Sequence, residues 1–144
     1  MPVAHERGWG LQGEVFSVAE WANIHQEAEQ RARNLLRAGE NVIYDTTAFV
    51  KAERDALHKL ALECGAQLIL IYVQISRAEA LRRWEANNQT RQRFLVHIDD
   101  FTMVADHFQP PLEDEPHLLY IAGADMAAWI QANIPLEKEQ QNNV

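Results

Sequence analysis

Six successive positions, Leu68-Ile69-Leu70-Ile71-Tyr72-Val73, carry only apolar or aromatic side chains. A strand with one face in water alternates between apolar and polar residues. An unbroken run predicts a strand covered on both faces, as parallel sheets are. Helical patterns precede this run. Trp21, Ile24, Ala28, Ala32 and Leu35 recur at spacings of three and four, which places them on one face of a helix. Ala56, Leu57, Leu60, Ala61 and Cys64 form a second such face. Gly39 and Gly65 follow the two faces, where a left-handed residue ends a helix. Ser17-Val18-Ala19-Glu20 and Ser76-Arg77-Ala78-Glu79 both have the form of a capping box. In that motif the serine oxygen takes a free backbone N–H and the glutamate reaches back to the cap. The second box opens a helix expected to run through Trp84.

The rest of the chain keeps the alternation. Val42-Ile43-Tyr44 predicts a brief buried strand. Residues 87–93 are polar and arginine-rich, and 97–108 can form a helix. Residues 109–116 are an acidic loop broken by prolines. Leu118-Leu119-Tyr120-Ile121 predicts another strand, and 126–134 a last helix. Residues 1–13 read as an irregular lead-in, 14–134 as a single domain, and 135–144 as a polar tail; no internal repeat is present. Strands alternating with helices mean an α/β fold with parallel pairing, and right-handed crossovers would put helices on both faces of the sheet.

Composition narrows the function classes. A formal net charge of −8 argues against nucleic acid and anionic membranes, which favour a basic face. Cys64 is the only cysteine, so no disulfide can form within the chain and a reducing compartment is the simpler expectation. No apolar run is long enough to span a bilayer, and residues 1–13 lack the apolar centre of a signal peptide. These features predict a cytoplasmic protein.

Two groups of residues could carry chemistry. Asp45 directly follows the Val42–Tyr44 run, with Thr46 and Thr47 behind it. In open parallel sheets, sites lie beyond the carboxyl ends of strands. An acid there can hold magnesium, and threonine hydroxyls can donate to phosphate oxygens. The same three residues also suit a turn and the start of the next helix, and taken alone they favour that plainer reading. Arg82, Arg83, Arg91 and Arg93 flank the polar segment. Arginine forks match phosphate oxygens, but a charge run can equally be a solvated face with Arg82 or Arg83 paired to Glu79 or Glu85. Arg54 could reach the crevice of Asp45 or pair with Glu53 or Asp55. The six histidines show no metal-ligand spacing. Cys64 fits core packing, and the four tryptophans fit core or interface anchors.

The order of these features resembles a known family. The stretch from Ala32 to Thr47, with Gly39 and then Val42-Ile43-Tyr44-Asp45-Thr46-Thr47, is similar to the helix, G-x-n-V-I-x-D-x-T segment of P-loop kinases of the AAA_33 type. These include polynucleotide-kinase-like and zeta-toxin-like proteins. Arg54, the strand at Leu70–Val73, Arg83, Arg91 and Arg93, and Phe108-Gln109-Pro110-Pro111 with Glu113 and Glu115 follow in the family's order. The resemblance covers roughly residues 17–121. It implies a three-layer fold of the P-loop kinase type and an ATP- and magnesium-dependent transfer of phosphate to a hydroxyl. Asp45 would organise magnesium, and Arg83 and Arg91 would stabilise transferred charge. Thr46, Thr47, Arg54 and Arg93 would contact phosphate or nucleotide. The substrate would be a small molecule or a nucleotide, and a nucleic-acid 5′ end is the weakest acceptor.

The chain also departs from that family. No G-x-x-x-x-G-K-[ST] phosphate loop occurs, and the first lysine is Lys51. The acid-and-arginine strand that follows the loop in the family is also missing. The expectation is therefore a domain truncated at its N-terminal side, inactive as the isolated chain. Its central strand position would be closed up by its neighbours, filled by a second copy or partner chain at an exposed sheet edge, or supplied by a longer reading frame. The alternative is a non-catalytic interaction or self-association module.

Overall fold

The computed structural model describes residues 16–134. The expectations for the lead-in 1–13 and the tail 135–144 lie outside these residues, as does Trp9. The elements are α1 (Val18–Arg37), α2 (Lys51–Glu63), β1 (Ile71–Gln74), α3 (Arg77–Thr90), α4 (Ile98–His107), β2 (Leu118–Ile121) and α5 (Met126–Asn133).

Helix α1 begins where the sequence places it. Ser17 Oγ accepts from the Glu20 amide at 3.3 Å, and Glu20 accepts from the Ser17 amide at 2.7 Å, so the capping box is complete. Such caps are worth ~1 kcal/mol. Gly39 (φ 83°) and Gly65 (φ 68°) take the left-handed conformation after α1 and α2. The inward face of α1 forms the core: Ile24 is 2% exposed and packs with Trp21, Ala28 and Phe94. Phe16 extends this cluster, edge-on to Trp21 and stacked on Phe94. Helices α1 and α2 are in contact, and Arg33 bridges to Glu63 at 2.5 Å.

Strands β1 and β2 pair in parallel, with Ile71 opposite Leu118 and Gln74 opposite Ile121. Bonds from the Leu118 amide to the Leu70 carbonyl and from the Ala122 amide to the Gln74 carbonyl extend the ladder at both ends. Helix α5 is tied to this sheet through Trp129, whose indole donates to the Leu119 carbonyl at 2.9 Å and meets Tyr120 edge-on. Trp84 likewise donates to the Val96 carbonyl and sits near Phe101. The three described tryptophans are thus packing anchors.

Several expectations need correction. The Leu68–Val73 run is neither fully paired nor covered on both faces. Pairing begins only at Ile71, and Ile69, Ile71 and Val73 are 42%, 41% and 53% exposed. Among the described residues β1 has a strand on one side only, and its side chains are mostly exposed. Val42–Tyr44 alternates in burial, with Val42 and Tyr44 half-buried and Ile43 97% exposed. It is not a paired strand, because no backbone partner reaches it among the described residues. The sheet described is therefore two-stranded and parallel rather than the larger mostly parallel sheet expected. The box at Ser76 is half formed: Ser76 accepts from the Glu79 amide, but the Glu79 carboxylate turns to Arg82 and Arg83. Helix α3 also runs past Trp84 to Thr90, absorbing the first half of the polar segment.

Candidate functional site

Asp45, Thr46 and Thr47 follow the Val42–Tyr44 segment and precede α2. This segment and the inward face of α1, from Ile24 to Leu35, line a half-open cavity of ≈ 260 Å³. Asp45 and Thr46 stand at its wall, and Asp45 and Thr47 are exposed. No hydrogen bond or ion pair occupies these three side chains among the described residues. Tyr44 is half-buried beside them, and its loss of contact with water pushes its phenol pKa up. The plainer role for the trio, as the cap of α2, is not the one the structure gives it: α2 begins four residues after Thr47, with Val50 at its cap position.

Valine has no side-chain acceptor, so the first turn of α2 needs help from elsewhere. Gln109 supplies it from 58 residues away, its Oε1 accepting from the Lys51 amide at 3.0 Å. The Gln109 amide donates to the Phe49 carbonyl at 2.7 Å. Its own carbonyl accepts from Arg54 Nη1 at 2.9 Å.

Arg54 stands behind the loop and not in the crevice. It is 6% exposed. Its Nε and Nη2 donate to the two oxygens of Glu115 at 2.5 and 2.9 Å, and Nη1 reaches the Ala48 carbonyl at 3.0 Å as well as Gln109. Four of the five N–H donors of an arginine are thereby committed within the protein. The phosphate contact expected of Arg54, and its pairing with Glu53 or Asp55, give way to this arrangement. A buried guanidinium needs a matched carboxylate, and Glu115 is the one within reach. The hydrogen bonds with Arg54 hold the Glu115 carboxyl below its usual pKa and raise that of Arg54. Ala48, between the trio and this anchor, is buried and adopts φ 36°, a conformation side chains other than glycine seldom take.

The remaining arginines divide into two groups. Arg82 and Arg83 both bind Glu79 at 2.7 Å on the exposed face of α3, and these bonds pull the Glu79 carboxyl down to about 2. The solvated-face reading therefore describes both Arg82 and Arg83. Arg91 and Arg93 lie in the turn after α3. Arg91 caps the helix in the left-handed conformation (φ 51°). Asn87 builds the turn: its Oδ1 accepts from the Arg93 amide at 2.9 Å, and its Nδ2 donates to the carbonyls of Arg93 and Phe94. The side chains of Arg91 and Arg93 are exposed, with no ion pair among the described residues. No hydrogen bond or ion pair joins Asp45 to any of these arginines, so the structure leaves the expected acid and lid arginines as separate groups.

The sequence reading missed Asn87 and Gln109. Asn87 carries no motif. The signal for Gln109 was indirect: a valine at a helix cap leaves backbone donors that some other segment must satisfy.

The residues at Asp45 suit one side of a magnesium–nucleotide site. Mg²⁺ is held by one or two carboxylates together with waters and phosphate oxygens, not by an all-protein cage. An exposed, unengaged carboxylate beside two hydroxyls fits that mode. The described residues contain no group of three or more acidic, histidine or cysteine side chains placed to enclose a metal. The phosphate side is another matter, since the 144 residues contain no glycine-lysine loop to cradle it.

The small parallel sheet flanked by helices is consistent with a P-loop NTPase-like nucleotide-binding domain, and it is a family match that supports that class. A family model described as "AAA domain" matches residues 7–111, more than half of the chain. The chain belongs to this AAA family. Neither the curated proteins nor the solved structures provide a match. Among the described residues no helix is long and apolar enough to cross a membrane.

Proposed function

We propose that this chain is the acid-threonine portion of a kinase-like AAA domain, with Asp45 as the ligand of a nucleotide-bound magnesium and Thr46 and Thr47 as donors to phosphate or acceptor. The observation that carries this reading is the position of an unengaged Asp45 and Thr46 at the wall of the cavity between α1 and residues 42–46. Bound magnesium would neutralise phosphate charge during transfer to a hydroxyl. The chain's own residues contribute the carboxylate, the hydroxyls, and the free guanidinium groups of Arg91 and Arg93. Arg83 is available only by leaving Glu79, and Arg54 serves the loop from behind. The 144 residues have no loop for the β- and γ-phosphates, so they bind nucleotide weakly and do not turn it over. Calorimetric titration with Mg-ATP, alongside a phosphate-release assay, tests this reading. Weak binding without turnover, weaker still in Asp45→Asn, is expected. Micromolar affinity with turnover would overturn the inactivity, and binding indifferent to Asp45 would overturn the site.

The exposed apolar side chains of β1 and β2, with Val73 53% and Ile121 59% exposed, and of Ile43 favour a second reading as a self-association module at the sheet edge. Exposed strands of this kind template pairing with another chain. Analytical ultracentrifugation distinguishes the two readings, since a monomer throughout the micromolar range would remove the second.

A further inference from the structure

The loop that carries Asp45, Thr46 and Thr47 is supported mostly by residues distant from it in sequence. Its downstream end, Ala48 to Lys51, has four internal attachments. The Ala48 carbonyl is held by Arg54, the Phe49 carbonyl by the Gln109 amide, the Lys51 amide by Gln109 Oε1, and Arg54 itself by Glu115. Three of the four come from residues 109–115, which form the connection between α4 and β2. Gln109 contributes its amide, its carbonyl and its side chain to this one purpose.

Ala48 makes the support necessary. A left-handed alanine costs roughly 1–2 kcal/mol relative to ordinary backbone and persists only where the surroundings determine it. Here the determinant is a guanidinium bonded both to the Ala48 carbonyl and to a carboxylate 61 residues further on.

We propose that Gln109 and Glu115 are positioning residues for the acid-threonine loop. Gln109 acts through the first turn of α2 and Glu115 through Arg54, so that the 109–115 connection sets where Asp45, Thr46 and Thr47 stand. Neither residue need touch a ligand. The arrangement makes the loop's geometry dependent on a distant segment, so anything that displaces residues 109–115 also displaces the trio. The inference rests on the proposed function only for what the trio binds; the coupling itself is readable without any ligand.

The test compares amide resonances and hydrogen exchange in the whole chain for Gln109→Ala, Gln109→Glu and Leu60→Val. Leu60 is buried in α2, and shortening it lowers stability without touching the connection. A hydrogen bond of ordinary net strength corresponds to a change in exchange of about fivefold to tenfold. Gln109→Ala is expected to speed exchange at Lys51 by that factor and to shift the amides of Asp45, Thr46 and Thr47, leaving the amides of Ile24 and Ala32 unchanged. Gln109→Glu keeps an acceptor at the helix N-terminus and is expected to restore both. Leu60→Val is expected to speed exchange broadly without shifting the trio. If Gln109→Ala leaves residues 45–51 unchanged, or if it behaves like Leu60→Val, the positioning role is overturned. Titrating Mn²⁺ with ATP into the same samples tests the functional reading separately: a wild-type chain that binds neither removes that reading while the ligand-free signals still decide the coupling.

Discussion

Arg54 and Glu115, sixty-one positions apart in sequence, are joined by paired hydrogen bonds of 2.5 and 2.9 Å, with side chains only 6% and 11% exposed. This pair connects the start of α2 to the connection between α4 and β2. It also takes an arginine that its place in the sequence would offer to a phosphate and makes it an internal support.

Breaking the pair from one side should be costly. Glu115→Gln leaves a buried guanidinium without its counter-charge, a change that destabilises by about 3–5 kcal/mol. Replacing both partners with apolar residues, Arg54→Met with Glu115→Leu, should cost less, because no buried charge remains. Urea denaturation of the two variants checks the ordering, and a double variant as unstable as the single would contradict it.

The same pair predicts an acid response. The pKa of Glu115 is lowered by its bonds to Arg54, so the folded state binds the proton less readily than the unfolded chain. The pair's contribution is fully present above the ordinary glutamate value of about 4.3. It is lost as pH falls from there through the lowered folded value. Thermal unfolding between pH 6 and pH 3 should show a falling melting temperature over that window, and Glu115→Gln should flatten the fall.

Ile24 is the most enclosed side chain of the described residues, 2% exposed among Trp21, Ala28 and Phe94. Ile24→Ala should cost about 2–5 kcal/mol through lost burial and an unfilled cavity. Denaturant midpoints measure it. A change under ~1 kcal/mol would mean that α1 is not seated as described.

Ala48 offers the reverse experiment. Ala48→Gly relieves the left-handed backbone, offset in part by about 0.4–1 kcal/mol of added freedom in the unfolded chain. It should be neutral or mildly stabilising. Ala48→Val adds a branched side chain at φ 36° and should be clearly destabilising. Melting temperatures of the two decide it, with the opposite order contradicting the strained turn.

Local signals were legible in the sequence where the chemistry is local. Ser17 with Glu20, Gly39 and Gly65 mark helix ends because the groups that satisfy those ends lie within a few residues. Parallel pairing as such followed from the alternation of elements; that Ile71–Gln74 pairs with Leu118–Ile121 is what the structure adds. What could not be read was everything settled by distant partners. The Leu68–Val73 run looks like a covered central strand, yet whether it is covered depends on layers the run does not contain. Glu79 has the form of a capping-box acid, but two arginines one turn away outbid the backbone for it. Arg54 and Gln109 are ordinary polar residues until the fold brings residues 48–51 and 109–115 together. The position of Asp45 was legible as a motif, but its lack of a partner among the described residues became apparent only in three dimensions.

The central claim is that Asp45 faces a nucleotide-bound metal. Paramagnetic broadening by Mn²⁺ in the presence of ATP tests it most directly, because it registers weak binding and reports location. Selective loss of the amide signals of Asp45, Thr46 and Thr47 in the wild-type chain, abolished in Asp45→Asn, is the predicted result. Broadening centred elsewhere, such as at Glu113–Glu115, or broadening of the trio that persists in Asp45→Asn, would contradict it.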